Sequence, residues 1–292
     1  MPGLKDVKDK ISGVKKTAQI TKAMNMVASA KLRGAQEKMV SFRPYASKFV
    51  EAMRDLSGGM EGSDLPLMEV RDVKSVEIVV VTSDRGLCGS FNANIIKAAE
   101  RLKKQYEASG KKVSLVTVGK KGTQAFKKSG KLRASFNDIM GAFQMFNARE
   151  ISQNITEAFL AGESDQVDIV YGRFHSVAVQ KPETEELLPI KPVASAEGKQ
   201  GKSEVAGSYT YEPDPEEIME VLLPLFLNVQ VYHAMLEVGA SEHAARMTAM
   251  DNATSACKDM IKDLTRLYNK ARQAAVTGEL MDIVGGAEAL KG

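Results

Sequence analysis

LKDVKDKISGVKKTAQITKAMNMVASAKLRGAQEKMVSFRPYASKFVEAMRDL, Leu4 to Leu56, carries one rhythm from end to end. Alternating steps of three and four from Leu4 land on Val7, Ile11, Val14, Ala18, Thr21, Asn25, Ala28, Leu32, Ala35, Met39, Phe42, Ala46, Phe49, Met53 and Leu56. Only Thr21 and Asn25 among them are polar. A 3.5-residue repeat sustained this long is the pattern of a coiled-coil strand. At 1.5 Å per residue it predicts a helix roughly 80 Å long. Pro44 lies inside it and lacks a backbone N–H, so a bend or a local break is expected there. Gly58 and Gly59 mark its end.

A second long helix is expected from Tyr211-Glu-Pro-Asp-Pro215, with Asp214 as cap and Pro215 in the first helical position. The same rhythm runs through Ile218, Leu222, Leu225, Val229, Tyr232 and Leu236. It is interrupted around Gly239, His243 and Arg246, then returns as Met250, Ala253, Cys257, Met260, Leu264, Leu267, Ala271 and Ala274. A helix to about residue 284 would span roughly 105 Å. Two such helices in one chain pair most simply antiparallel. The second is the longer, so one end should project alone, with small residues Ala271, Ala274 and Gly278 in its seam. A projecting helix with an apolar face needs another protein to cover it. Arg246 and His243 on the seam either set its register or meet a partner's carboxylate.

Between the helices the pattern changes. Val76–Thr82, Val113–Gly119 and Val167–Phe174 read as short buried strands, with helical spacing over Asn92–Ser109 and Gly141–Gly162. Strands alternating with helices imply a parallel sheet with crossover helices. Ser176–Ile190 reads as a further extended segment, and residues 192–208, rich in Gly, Ser, Ala and Lys, as a loop. The fold class is α/β: a long antiparallel coiled coil of N- and C-terminal helices, residues 1–58 and 210–292, with an inserted Rossmann-like α/β domain, residues 70–209.

Composition narrows the function classes. With 43% hydrophobic and 26% charged residues, the 292-residue chain can bury a sizeable core. Two cysteines, Cys88 and Cys257, imply no disulfide framework. Neither an apolar signal core nor a run of ~20 apolar residues is evident. Net charge is only +3, yet residues 1–50 hold eleven Lys/Arg against three Asp/Glu. That excess suits an acidic protein surface, an anionic membrane or nucleic acid. Phe42, Tyr45 and Phe49 there have helical spacing, which favours packing over base stacking.

The glycine-bearing turn Ser83-Asp-Arg-Gly-Leu-Cys-Gly89 follows the first strand, where α/β proteins often cradle phosphate. A P-loop needs GxxxxGK and then Ser or Thr. Phe91 stands five residues after Gly86, no Lys follows, and GxGxxG is also missing. Asp84, Cys88 and Ser90 would need a distant base such as His175 to do chemistry. The simpler reading is a tight strand-to-helix turn built by Asp84, Arg85, Gly86 and Gly89, with Cys88 as a small buried hydrophobe. His233 and His243, ten residues apart, lack metal spacing. No cofactor, metal or catalytic residue is expected.

Three blocks carry a resemblance that covers essentially the whole chain. They are ITKAMNMV (Ile20–Val27) with Ala30-Lys31 and Arg43-Pro-Tyr45; SDRGLCG (Ser83–Gly89); and YNKARQA (Tyr268–Ala274) with VTGELMDIVGGAEA (Val276–Ala289). With these the chain resembles the gamma subunits of bacterial F-type ATP synthases. The resemblance implies a non-catalytic central rotor shaft that couples ion flow through a membrane ring to conformational change on catalytic beta subunits. It implies as partners three alpha and three beta subunits, an epsilon subunit and the membrane rotor ring, with no nucleic acid and no membrane span of its own. Its implied place is peripheral, on the cytoplasmic face of the inner membrane. By matching position, Lys22, Met24, Arg33, Arg246, Arg272, Gln273, Thr277 and Glu279 would meet the alpha/beta ring. Tyr209 and Glu212 would belong to the foot near the rotor ring and epsilon. The competing readings are an enzyme built on the α/β insert and a coiled-coil adaptor.

Overall fold

In a computed structural model, residues 4–57, 65–191 and 214–290 are described. The elements in chain order are α1 (Leu4–Ser57), β1 (Ser75–Val81), α2 (Phe91–Ala108), β2 (Lys112–Val118), α3 (Lys120–Phe126), β3 (Leu132–Phe136), α4 (Met145–Leu160), β4 (Gln166–Phe174), β5 (Gln180–Leu188) and α5 (Pro215–Ala289). Contacts divide the chain into two units: Met1–Ser29 with Arg246–Gly292, and Ala30–Ala245. The loop expected at 192–208 lies outside the described residues.

In the first unit, α1 and α5 pair antiparallel. Thr21 meets Thr254, hydroxyl to hydroxyl at 2.7 Å, and the Asn25 amide donates to the Met247 carbonyl at 2.8 Å. The two polar positions in the α1 rhythm are thus the two that reach across the seam. Val7, Thr21 and Ala28 are buried, while Leu4, Ile11, Val14, Ala18 and Asn25 are half-buried. On α5 the expected seam needs correction. Met250, Cys257, Leu264 and Ala271 hold their places, but the alternate positions are Thr254, Ile261, Tyr268 and Ala275. Met260 and Leu267 are instead 52% and 45% exposed. The cause is local. An apolar count passes over Thr254, yet Thr254 is buried because its hydroxyl is satisfied by the Met250 carbonyl at 2.8 Å and by Thr21. A hydrogen-bonded threonine can occupy a seam that an unsatisfied one could not.

In the second unit, the sheet has the order β3-β2-β1-β4-β5, parallel except for antiparallel β5. β1 is buried over six of its seven residues, as a strand covered on both faces must be. One of them is Glu77, whose carboxylate takes a bidentate pair from Arg133 at 2.6 and 2.7 Å. Burial raises the Glu77 carboxyl above its usual range, and the guanidinium pulls against that. Arg133 lies two strands away. It is the extra residue of a β-bulge, since Leu115 pairs with Leu132 and Val116 with Ala134. A bulge re-aims the side chain it carries. At β4, buried Asp168 is held by the Tyr106 hydroxyl at 2.5 Å and the Gln166 amide at 2.9 Å.

The later part of α1 and the earlier part of α5 also pack in this unit. Phe42 meets Tyr232 edge-on at 5.0 Å, and Phe49 stacks near Phe226 at 6.3 Å. α1 runs unbroken through Pro44, and α5 through Pro224. Pro215 opens α5 as expected, with the Asp214 carbonyl accepting from Ile218 at 3.1 Å. The interrupted rhythm near Gly239 has a reason: residues 234–242 are all buried, so no polar face is needed there. Buried Glu237 is satisfied by the Phe174 backbone N–H at 2.7 Å, beyond the last residue of β4 that pairs within the parallel sheet. By length and composition α5 is apolar enough to cross a membrane, which the residue count alone did not suggest. Its 18-residue window reaches a mean hydropathy of 1.4, and 56% of that window is buried inside the fold, as in a core helix.

Two glycines give opposite expectations. Gly119 has φ +94°, and a Cβ there would sit 2.1 Å from the Thr82 carbonyl oxygen. Gly119→Ala should destabilise the fold by about 3 kcal/mol in urea unfolding followed by circular dichroism. Gly278 on α5 has open space around it. Gly278→Ala should leave that transition unchanged or raise helix stability by up to about 1 kcal/mol.

Candidate functional site

The Ser83–Gly89 turn leaves the C-terminal end of β1, beside β4, where the order of the parallel strands reverses. Open α/β sheets bind ligands at such a point. Here the polar groups are committed to the protein itself. Asp84 accepts three backbone N–H groups: Oδ1 from Lys120 at 2.9 Å and Asp138 at 3.0 Å, and Oδ2 from Met140 at 2.9 Å. One carboxylate therefore ties together the end of β1, the start of α3 and the chain after β3. Ser83 donates its hydroxyl to the Arg85 carbonyl at 2.6 Å, and its backbone N–H to Asn92 Oδ1 at 3.0 Å. Asn92 Nδ2 in turn donates to Ser83 Oγ at 2.8 Å and to Cys88 Sγ at 3.2 Å.

Cys88 is 2% exposed. A thiol so enclosed is a poor nucleophile. His175 has Glu183 at 3.6 Å and sits in the β4–β5 hairpin. The turn's backbone is special at Leu87 (φ 63°) and Gly89 (φ 59°). Leu87 pays the conformational cost of a left-handed leucine while 62% exposed. Arg85 is exposed as well. Asp84 thus holds the α/β unit together, while Arg85 and Leu87 face outward. No group of three or more possible metal ligands occurs among the described residues.

The remaining residues of interest lie on the long helices. In the first unit Lys22, Arg272, Gln273, Thr277 and Glu279 are exposed, Met24 is half-buried and Arg246 is buried. Thr277 bonds back to the Gln273 carbonyl at 2.9 Å. In the second unit Arg33 is exposed and pairs with Glu37 at 3.2 Å. Tyr209 and Glu212 lie outside the described residues.

The observed register gives the paired helices of the first unit two unlike flanks. Lys8, Lys15 and Lys22 recur every seven residues on α1, and all are exposed. With Lys258 and Arg272 on α5 they make one flank basic. On the other flank Met260 and Leu267 are joined by Ile20 at 60% and Val27 at 57% exposure, beside Met24. Sequence reasoning missed this apolar flank because it had placed Met260 and Leu267 inside the seam. Beyond Ala275 every residue to Leu290 is exposed, including Val276, Leu280, Met281, Ile283 and Val284. That is the unaccompanied helix end that the unequal helix lengths predict.

Comparison with known proteins places this architecture. A family model described as ATP synthase matches residues 3–290. A relative from Desulfotalea psychrophila, an ATP synthase gamma chain, is 66% identical over 291 residues, covering all of both chains. The chain belongs to the ATP synthase gamma-chain family. Another gamma chain, from Nitratidesulfovibrio vulgaris, is 54% identical over the full length of both. Among solved structures, a chain of the central stalk/c-ring of Tetrahymena thermophila mitochondrial ATP synthase matches with TM-score 0.61 and 27% identity, covering 80% of this chain and 99% of that one. The rotor of Euglena gracilis mitochondrial ATP synthase shares the fold, with TM-score 0.64 at 20% identity over 94% and 98% of the two chains. A gamma-family member is a subunit of ATP synthase, and the 27%-identical relative belongs to the central stalk of that complex.

The Asp84 staple makes a direct prediction. Asp84→Ala strands three backbone N–H groups at once and should cost about 2–3 kcal/mol of stability. Urea unfolding checks this, and an unchanged midpoint would show that the carboxylate does not hold the turn.

Proposed function

We propose that this gamma chain is the non-catalytic rotating shaft of a bacterial F-type, proton-translocating ATP synthase. It would stand inside a ring of three alpha and three beta subunits, with the α/β unit towards the epsilon subunit and the membrane rotor ring. Ion flow through the ring turns it, and its asymmetric surface changes the conformation of the catalytic sites on beta. Such a complex sits on the cytoplasmic face of the inner membrane, which this chain meets only peripherally.

The single observation that carries this reading is the end of α5. From Val276 to Ala289 it is a helix with no buried residue and with several apolar side chains half or more exposed. Such a surface calls for a protein sleeve. Arg272, Gln273, Thr277 and Glu279 would line the contact with that sleeve. Lys22 and Arg33 would face acidic segments of the beta subunits, where opposite charge steers approach without a deep lock. Met24, on the opposite, apolar flank, would meet the ring from the other side of the helix pair, and Arg246, being buried, would act by holding the helices in place. Tyr209 and Glu212 would belong to the foot at the ring. The commitment of Ser83, Asp84, Cys88 and Asn92 to internal bonds supports a chain that moves rather than reacts.

Removal of residues 276–292 tests this reading. It deletes helix whose described residues, 276–290, are all exposed, so thermal unfolding should be unchanged. ATP-driven proton pumping by the reconstituted complex should fall several-fold. Full pumping without that segment, or ATP hydrolysis by the isolated chain, would contradict the reading.

A further inference from the structure

Residues 97–133, from α2 through β2 and α3 into β3, hold twelve Lys/Arg against two Asp/Glu, in a chain whose net charge is only +3. α2 and α3 touch each other and cover one face of the sheet, as crossovers of the same hand between β1, β2 and β3 must. Six cations there are exposed and form no ion pair among the described residues: Lys97, Arg101 and Lys104 on α2, Lys112 at the start of β2, and Lys127 and Lys128 just after α3. The first three step by four and three, a single stripe on α2. The acid Glu107 is already taken. Lys131 binds it from the start of β3, and that bond first, with Lys103 and Lys104 adding to it, holds its carboxyl below the usual range. On the long helices several exposed cations are answered locally: Arg33 by Glu37, Lys48 by Glu51, Lys262 by Asp259 and Arg266 by Asp263. On α2, Lys97 and Arg101 instead repel one another at i,i+4, which works against the helix.

We propose that this face of the α/β unit rests against an anionic phospholipid surface, an electrostatic contact with no insertion. The proposal rests on the reading that the chain serves a membrane complex with its α/β unit towards the membrane. Two observations favour lipid over an acidic protein. No large apolar side chain is exposed anywhere in residues 91–136, whereas a packed protein interface has an apolar core. Five of the six cations are Lys, which protein interfaces disfavour relative to Arg and which anionic leaflets attract. A lysine ammonium stays hydrated on a flexible stem and can follow a fluid layer of headgroups.

The test sediments the purified full-length chain with vesicles of mixed phosphatidylglycerol and phosphatidylcholine, and with vesicles of phosphatidylcholine alone. Binding should require phosphatidylglycerol and be released by ~1 M salt. Lys97→Glu, Arg101→Glu and Lys104→Glu together should weaken it at least about tenfold, with circular dichroism unchanged. The same three changed to Gln should weaken it less, and this milder set keeps the test open if the reversed set fails to fold. Lys8→Glu with Lys15→Glu, on the basic flank of the first unit, should leave binding within about twofold. In the assembled synthase in phosphatidylglycerol-containing membrane, p-benzoylphenylalanine at position 104 should cross-link to lipid. Equal binding to neutral vesicles, no binding, an equal loss in the Lys8/Lys15 pair, or a cross-link from position 104 to another subunit would each overturn the proposal. The vesicle measurement uses the chain by itself, so it can fail while the synthase pumps, and it can succeed where the rotor reading fails.

Discussion

The 2.7 Å contact between the Thr21 and Thr254 hydroxyls decides what the helix pair of the first unit shows to its surroundings. With Thr254 inside, the α5 seam steps four residues from Met250 and then three to Cys257. Ile261 and Tyr268 turn inward by the same count, and Met260 and Leu267 turn out. A shift of one residue on the helix would exchange them. The basic flank at Lys8, Lys15 and Lys22 and the apolar flank at Ile20, Val27, Met260 and Leu267 both follow from that register. Polar seam residues fix register in coiled coils because their partners exist in only one alignment. Asn25, bonded to the Met247 carbonyl one turn further along, makes the alignment doubly specified.

On the proposed reading, a shaft with two unlike flanks would act differently on identical neighbours as it turned. The α/β unit answers a different need. Its switch point looks like a ligand site in outline, yet Asp84 is spent on three backbone N–H groups and Glu237 of α5 takes the Phe174 N–H. The architecture that elsewhere holds a nucleotide is here filled by the chain's own helix and turn.

Much of this was legible in the residues. The α1 rhythm predicted every seam position whose side chain is described, because all but the hydrogen-bonded Thr21 and Asn25 are apolar. The strands at 76–82, 113–119 and 167–174 were found to within a residue at each end, since β1, β2 and β4 are apolar runs buried within the sheet. β3 was missed because LRASF is short and only half-buried, and α3 because about two turns offer a single buried large side chain, Phe126. The Glu77–Arg133 pair could not be read either: a bulge, not spacing, brings those residues together across β2. Thr254 was passed over because its hydroxyl's partners lie on the same helix a turn away and on a helix 233 residues distant. The residues expected to meet other subunits were carried over from family resemblance by matching position, and only Arg246, in the interrupted seam, was also marked by the helical rhythm.

The most direct measurement is a cross-link between the helices in a complex that can turn. Thr21→Cys with Thr254→Cys, in a Cys257→Ser background, should oxidise readily to an intrachain disulfide. Because the paired helices would rotate as one body, ATP-driven pumping should survive oxidation at near its reduced rate. Failure of the disulfide to form would contradict the register. Pumping that stops on oxidation and returns on reduction would contradict a shaft that turns as a unit.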